Sequence, residues 1–245
     1  CPSLCAAGAV GKSTDHVTPA CGGACKRGHY CTEGTAEGAE QPCPAGSRMP
    51  VVGAASGDAC IPCSPGSHQP DTGQVNCEAC ATGKFSAELS AIACTECATG
   101  GYCPDAGAAS ALVFRQCPAG SYNPARGNSS SDACLACPAG KANPVPGSES
   151  EDTCTPCLPG AFAAEAGKGV CDLCPAGKYT GTTSSTACDD CTSGYLCVMG
   201  SSAPQPCRGG THANQTVLNI TGFLGSLDEC IICPAGTACS VGTNE

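Results

Sequence analysis

Apolar residues in this chain come singly or in twos, and glycine or proline interrupts nearly every window long enough for three helical turns. Between successive cysteines the pattern reads as two short extended strands joined by a turn of Gly, Ser, Thr or Asn. One stretch, Ala106 to Phe114, has apolar spacing for two helical turns, confined by Pro104 before it and Pro118 after it. A two-stranded hairpin is marginal alone in water. The expected fold is therefore small and disulfide-rich: an elongated tandem array of disulfide-closed short β-hairpin loops, with little helix and no large core.

The staples are plain in the sequence, since 27 of the 245 residues are cysteine. Paired in chain order from the C-terminal end, they obey one rule: the first cysteine of every pair has a glycine three residues later. The resulting loops are Cys5–Cys21, Cys25–Cys31, Cys43–Cys60, Cys63–Cys77, Cys80–Cys94, Cys97–Cys103 and Cys117–Cys134, then Cys137–Cys154, Cys157–Cys171, Cys174–Cys188, Cys191–Cys197, Cys207–Cys230 and Cys233–Cys239. The glycines run from Gly8, Gly28 and Gly46 to Gly210 and Gly236, whereas only Cys31, Cys197 and Cys239 among the closing cysteines share the feature. Cys1 is left over, as a closer would be if its opener lay upstream, so the chain is expected to be a piece of a longer protein. Closing a loop of about 15 residues contributes roughly 3 kcal/mol in the chain-entropy account.

A longer order lies over the loops. Short loops at Cys25–Cys31, Cys97–Cys103, Cys191–Cys197 and Cys233–Cys239 suggest that the array resets there. The expected modules are 25–96, 97–190 and 191–232, with 1–24 ending a preceding module and 233–245 starting another. Six of the nine aromatics (Tyr30, Phe85, Tyr102, Tyr122, Phe162 and Tyr179) stand five residues after an opener, where a ring can cover the adjacent disulfide.

Cysteine at this density implies an oxidising compartment, hence an extracellular or cell-surface location. The sequons at Asn128, Asn214 and Asn219 are candidate N-glycosylation sites and fit that location. A formal charge of −10 with only 11 Lys and Arg argues against nucleic acid and against docking on anionic lipid. No stretch approaches the roughly 20 apolar residues of a membrane span, so this segment is not expected to insert.

The phrase Cys-x-x-Cys-Pro-Ala-Gly-x-Tyr, complete at Cys171 to Tyr179 and lacking its first cysteine at Cys117 to Tyr122, resembles the ephrin-receptor-like cysteine-rich repeat. It is similar, more distantly, to tumour-necrosis-factor-receptor modules and EGF-like domains. The resemblance implies disulfide-closed hairpins stacked end to end, and says little of a ligand. Tandem copies with Gly-Tyr-Cys short loops also look like those of large algal and protist surface proteins, mastigoneme-like flagellar hair proteins among them. That likeness implies a cell-surface or flagellar setting.

Rival chemistries lack their parts. The eight Cys-x-x-Cys joints have zinc-ribbon spacing, but the glycine rule assigns the two cysteines of a joint to different loops. No joint has the basic or helix-start setting of a reactive thiolate. His16, His29, His68 and His212 fall in separate loops, and the carboxylates Asp189-Asp190 and Glu149 to Asp152 sit beside joints rather than in a cleft. The run Ser148 to Asp152 lacks the spaced ligands of a calcium loop. No enzyme, cofactor or metal is expected. The expected role is a non-enzymatic structural or adhesive spacer within a larger surface or filament-forming glycoprotein. Its partners would be other domains of the same chain, lateral protein neighbours or further copies, and N-glycans. The alternative is a ligand-binding receptor ectodomain whose contact lies in the long interior from Arg208 to Glu229.

Overall fold

A computed structural model describes residues 4–11, 21–236 and 239. Cys1 and His16 lie outside the described residues. Strands of two to four residues pair antiparallel, two by two, one across each joint: Ser47–Arg48 with Ile61–Pro62, Lys84–Phe85 with Thr95–Glu96, Phe162 with Asp172, Tyr179 with Asp189. The hairpin therefore forms between the residues just after one opener and the two residues just before the next opener. Thirteen disulfides hold the described chain, in the chain order Cys5–Cys21 through Cys233–Cys239, with Cα separations from 5.6 to 6.3 Å.

By internal packing the chain divides into two compact units, Cys1–Arg115 with Ala125–Ala133, and Gln116–Pro124 with Cys134–Glu245. Within each unit the same backbone ladder recurs. The opener's carbonyl accepts a hydrogen bond from a turn residue in the following loop. Gly53 donates to Cys25, Gly73 to Cys43, Gly107 to Cys80, and in the second unit Gly147 to Cys117 and Gly167 to Cys137, at 2.7–2.8 Å. The carbonyl of the opener's glycine accepts from the next opener, as Cys43 N–H to Gly28 and Cys157 N–H to Gly140, both 2.9 Å. Short loops change the position of the disulfide and leave this ladder unbroken: Gly127 donates to Cys97 at 3.0 Å and Gly200 to Cys174 at 2.8 Å.

The opener glycines are needed for a reason that reaches further along the chain. Gly28 has φ +79° and Gly83 φ +82°, the left-handed region that side chains disfavour. A Cβ on Gly28 would overlap the Gly73 carbonyl, and one on Gly83 the Gly127 carbonyl, in each case two loops further on. Each loop thus leans on the next through hydrogen bonds and on the one after through a bare α-carbon.

The interior follows a single position, six residues after the opener. Cys31, Met49, Gln69, Ser86, Cys103, Asn143, Ala163, Thr180 and Ala213 are all buried there, alongside buried openers such as Cys43, Cys63, Cys117 and Cys174. In short loops this position is the closing cysteine itself. The aromatics one residue earlier are half-buried. Tyr30, for instance, packs on Cys43, Met49, Ala54 and Cys60, against the next loop's disulfide. The hydrophobic clusters are small and local, and no large core forms among the described residues.

Helix is scarce, and it falls elsewhere than expected. Ala106 to Phe114 contains only a one-turn 3₁₀ segment, Ala111–Val113. The one α-helix among the described residues is Gln215–Thr221, inside the long loop. Asn214 caps it by accepting from Thr216 N–H at 3.0 Å and Val217 N–H at 3.4 Å, and Gly222 ends it at φ +80°.

Candidate functional site

Two places concentrate side chains that could carry function: the buried polar spine and the long loop. The spine tolerates polar residues because their groups are satisfied. Asn143, 1% exposed, donates through Nδ2 to the Ser121 carbonyl (3.2 Å), Ser148 Oγ (2.9 Å) and Thr153 Oγ1 (3.2 Å), while its Oδ1 accepts from Val145 N–H (3.1 Å). Gln69 donates to Asn76 O at 2.8 Å and accepts from Asp71 N–H at 3.1 Å. These bonds fasten each turn to its own strand. They are structural cross-links with no side aimed at an open cavity.

The long loop folds back on its neighbours. Leu224 is fully buried with Leu196, Cys207 and Ala213, and Val217, Leu218 and Cys230 pack against that cluster. Phe223 lies over Gly177, where a Cβ would overlap its ring. Ile231 and Ile232, which follow the loop's closing cysteine, are 38% and 82% exposed. Their strand turns them outward while the helix reaches toward Leu196. A groove of about 540 Å³ remains beside the loop, lined by Leu196, Val198, Ser201, Arg208 and Leu227 among others.

The histidines stay apart. His29 and His212 hydrogen-bond to nearby carbonyls, at 3.1 Å from Arg27 O and 3.1 Å from Ala213 O. His68 Nδ1 lies 3.2 Å from the Glu78 carbonyl and 3.2 Å from Cys94 Sγ. Its ligand atoms and the sulfurs of Cys80 and Cys94 fall within 4.8 Å of one another. Both sulfurs are joined in the Cys80–Cys94 bridge, so they offer no thiolate to a metal.

The carboxylates are likewise committed locally. Asp190 pairs with Lys178 across its hairpin, and Glu151 with Lys141 at 3.7 Å. Asp152 N–H is capped by Ser150 Oγ at 3.1 Å, which makes the Ser148 to Asp152 run a solvated, capped turn. Glu40 differs. It stands three residues before an opener, where the long loops place their closing cysteine, and its side chain is 9% exposed with Lys26 at 3.5 Å. A backbone hydrogen bond, and then the Lys26 charge, outweigh burial and hold its carboxyl below the usual range.

Among the sequons, Asn219 and its neighbours Ile220 and Thr221 are exposed on the helix surface. Asn214 is committed through Oδ1 to the helix cap, and Asn128 Nδ2 donates to Ala125 O at 3.1 Å.

Residues 149–191 match the family model described as tyrosine-protein kinase ephrin type A/B receptor-like. The matched segment holds two whole hairpin loops, Cys157–Cys171 and Cys174–Cys188, together with the acidic turn before them. Residues 149–191 are thus similar to an ephrin-receptor-like repeat. No curated protein matches the chain. The ephrin-receptor-like repeat belongs to non-catalytic, disulfide-rich ectodomains, and the loops outside 149–191 share its opener glycine, its ladder and its buried sixth position. An extracellular setting agrees with both the family and the disulfides. No helix among the described residues is long and apolar enough to cross a membrane.

Proposed function

We propose that the chain is a non-enzymatic extracellular spacer, a disulfide-stapled rod that holds apart or joins other parts of a larger surface glycoprotein. The observation that carries this reading is the two-step ladder. From Cys5 to Cys174 each opener is bonded to the following loop and, Gly100 apart, its glycine abuts the loop after that, so a bend at these joints within a unit must break both contacts. Nothing in this scheme requires a reacting group, and the polar interior is used up in turn-to-strand bonds. N-glycans on Asn128, Asn214 and Asn219 would keep the loop surfaces soluble, with Asn219 the most exposed acceptor.

Small-angle scattering of the chain tests the reading. A radius of gyration well above the roughly 18 Å of a compact globule of this length is expected. A compact globule would count decisively against it. Treatment with an N-glycosidase, followed by mass analysis, tests each sequon.

A receptor ectodomain is the second reading, favoured by the groove of about 540 Å³ beside the long loop and by Ile220, 80% exposed on its helix. Deleting the interior from Arg208 to Glu229 should then abolish partner binding while the bridges of residues 43–188 persist. Unchanged binding would eliminate this site.

A further inference from the structure

The five one-turn 3₁₀ segments repeat a serine-led pattern from which one departs. The second residue of the turn is Asp58, Asp132, Asp152 and Asp228 in four of them, and all four are exposed. In the fifth, Ala111–Val113, that place is taken by Leu112, which is 93% exposed. A carboxylate is at home in water at such an apex, whereas a leucine there presents its whole apolar side chain to solvent.

The residue after the turn departs as well. Cys60, Cys134, Cys154 and Cys230 close their loops at this point, but the loop opened by Cys97 is already closed by Cys103, and Phe114 takes the vacated place. The Phe114 ring lies over Gly101, where a Cβ would overlap it. With Phe85 it walls an apolar slot of about 270 Å³ that also takes in Glu96, Ala98 and the Cys97–Cys103 bridge. An exposed knob therefore stands two residues from the wall of an open hole.

We propose that this face is a self-association site, in which Leu112 of one copy enters the Phe85–Phe114 slot of a second copy and the contact is made twice. Charge favours a second copy as the occupant. Arg115 follows the knob by three residues and has no ion pair among the described residues, while Glu96 at the slot pairs with Lys84 at 3.4 Å and still keeps its side chain 52% exposed. The knob thus carries an unpaired cation and the hole a carboxylate that it would share with Lys84. Residues 106–115 and 125–131 of the same unit hold Arg115 and Arg126 and no acidic residue, in a chain of net charge −10, so repulsion between copies is reduced here. Knob and hole share one surface, which makes the contact self-complementary and closes it at two copies. The contact is far smaller than the roughly 1,000 Å² of a stable interface. It is weak alone and cumulative when copies are held in register along a larger assembly. The proposal rests on the spacer reading and gives it a lateral partner.

Sedimentation velocity of the whole chain across a concentration series tests it. The wild type should form dimers with a Kd between about 10 μM and 1 mM. Leu112→Asp should weaken association at least about tenfold, and Ala98→Phe, which plugs the slot, should do the same. Leu112→Met should associate within about threefold of the wild type. Leu112→Asp installs the residue that the other four turns carry, so its near-ultraviolet circular dichroism and disulfide map should match the wild type; should Ala98→Phe misfold, Leu112→Asp decides alone. A wild type that stays monomeric at about 1 mM, or dimers indifferent to Leu112→Asp, would overturn the proposal. Scattering from the monomer separates the two readings. An extended particle that never associates removes this contact and leaves the spacer, whereas a compact one that associates through Leu112 removes the spacer and leaves the contact.

Discussion

The α-carbon of Gly83 abuts the carbonyl oxygen of Gly127, two loops and 44 residues further along the chain. Gly83 also donates its N–H to Cys103, one loop on, at 2.8 Å, and its carbonyl accepts from Cys97 at 2.9 Å. One glycine is thereby tied to two successive loops, which is why a side chain is missing there.

Replacing it should be costly. Gly83→Ala meets both left-handed strain and the Gly127 carbonyl, and is expected to destabilise by about 2–4 kcal/mol. Gly38→Ala is the control: its φ is +84° but nothing lies within 4 Å of the new methyl. That variant should lose only about 1–2 kcal/mol. Equal losses in thermal or denaturant melts would mean that the interloop approach contributes nothing.

The polar spine gives a second expectation. Asn143→Ala leaves the Ser121 carbonyl and Val145 N–H without their partner in a buried place, and should cost about 2–3 kcal/mol. The loss should appear in chemical denaturation as a lower midpoint with an unchanged slope. Ala163 holds the equivalent position and is fully buried, so the larger side chain of Ala163→Asn should also destabilise rather than stabilise.

The bridges differ in what their loss should do. Removing Cys157 and Cys171 together by alanine should lower stability by about 2–4 kcal/mol, the range for loops of this size. The double variant avoids a free thiol that could exchange with neighbours. Mass spectrometry of a non-reduced digest should yield the Cys63–Cys77, Cys80–Cys94 and Cys157–Cys171 peptides from the unaltered chain, and staggered linkages would contradict the hairpin order.

Acid should weaken the first short loop selectively. The Glu40 carboxyl is held below its ordinary value of 4.5, so the stability it contributes is present above that value and is lost as pH falls through the folded-state pKa. The difference in melting temperature between wild type and Glu40→Gln should therefore be largest near neutrality and shrink below about pH 4.5. A difference that stays constant down to pH 3 would show that the ionised Glu40 carboxylate contributes no stability to the fold.

Much of the architecture is local and was legible. The closing cysteine and the turn residues act within one loop, and the opener glycine, though its reason lies two loops on, recurs at a fixed spacing, so their residue types announce them. The buried sixth position was not legible. Met49, Gln69, Asn143 and Ala163 share it without sharing hydropathy, because the place is enclosed by backbone and the turn decides whether a polar or apolar group is satisfied there. The helix at Gln215–Thr221 left a readable trace in Asn214 and Gly222 as its two ends, but seven residues are too few to form a helix without the Leu196 cluster beneath them. Leu112 becomes visible only when the serine-led turns are laid over one another.

By itself the sequence determined the staples and their order, because a cysteine and a glycine at fixed spacing close a loop whatever lies around it. The tertiary structure alone decided what each loop leans on. The carbonyls of Gly73 and Gly127 that require bare α-carbons at Gly28 and Gly83 belong to backbone, which has no residue type to read. The slot beside Leu112 likewise exists only because Cys103 draws the bridge away and Phe114 fills the place it left.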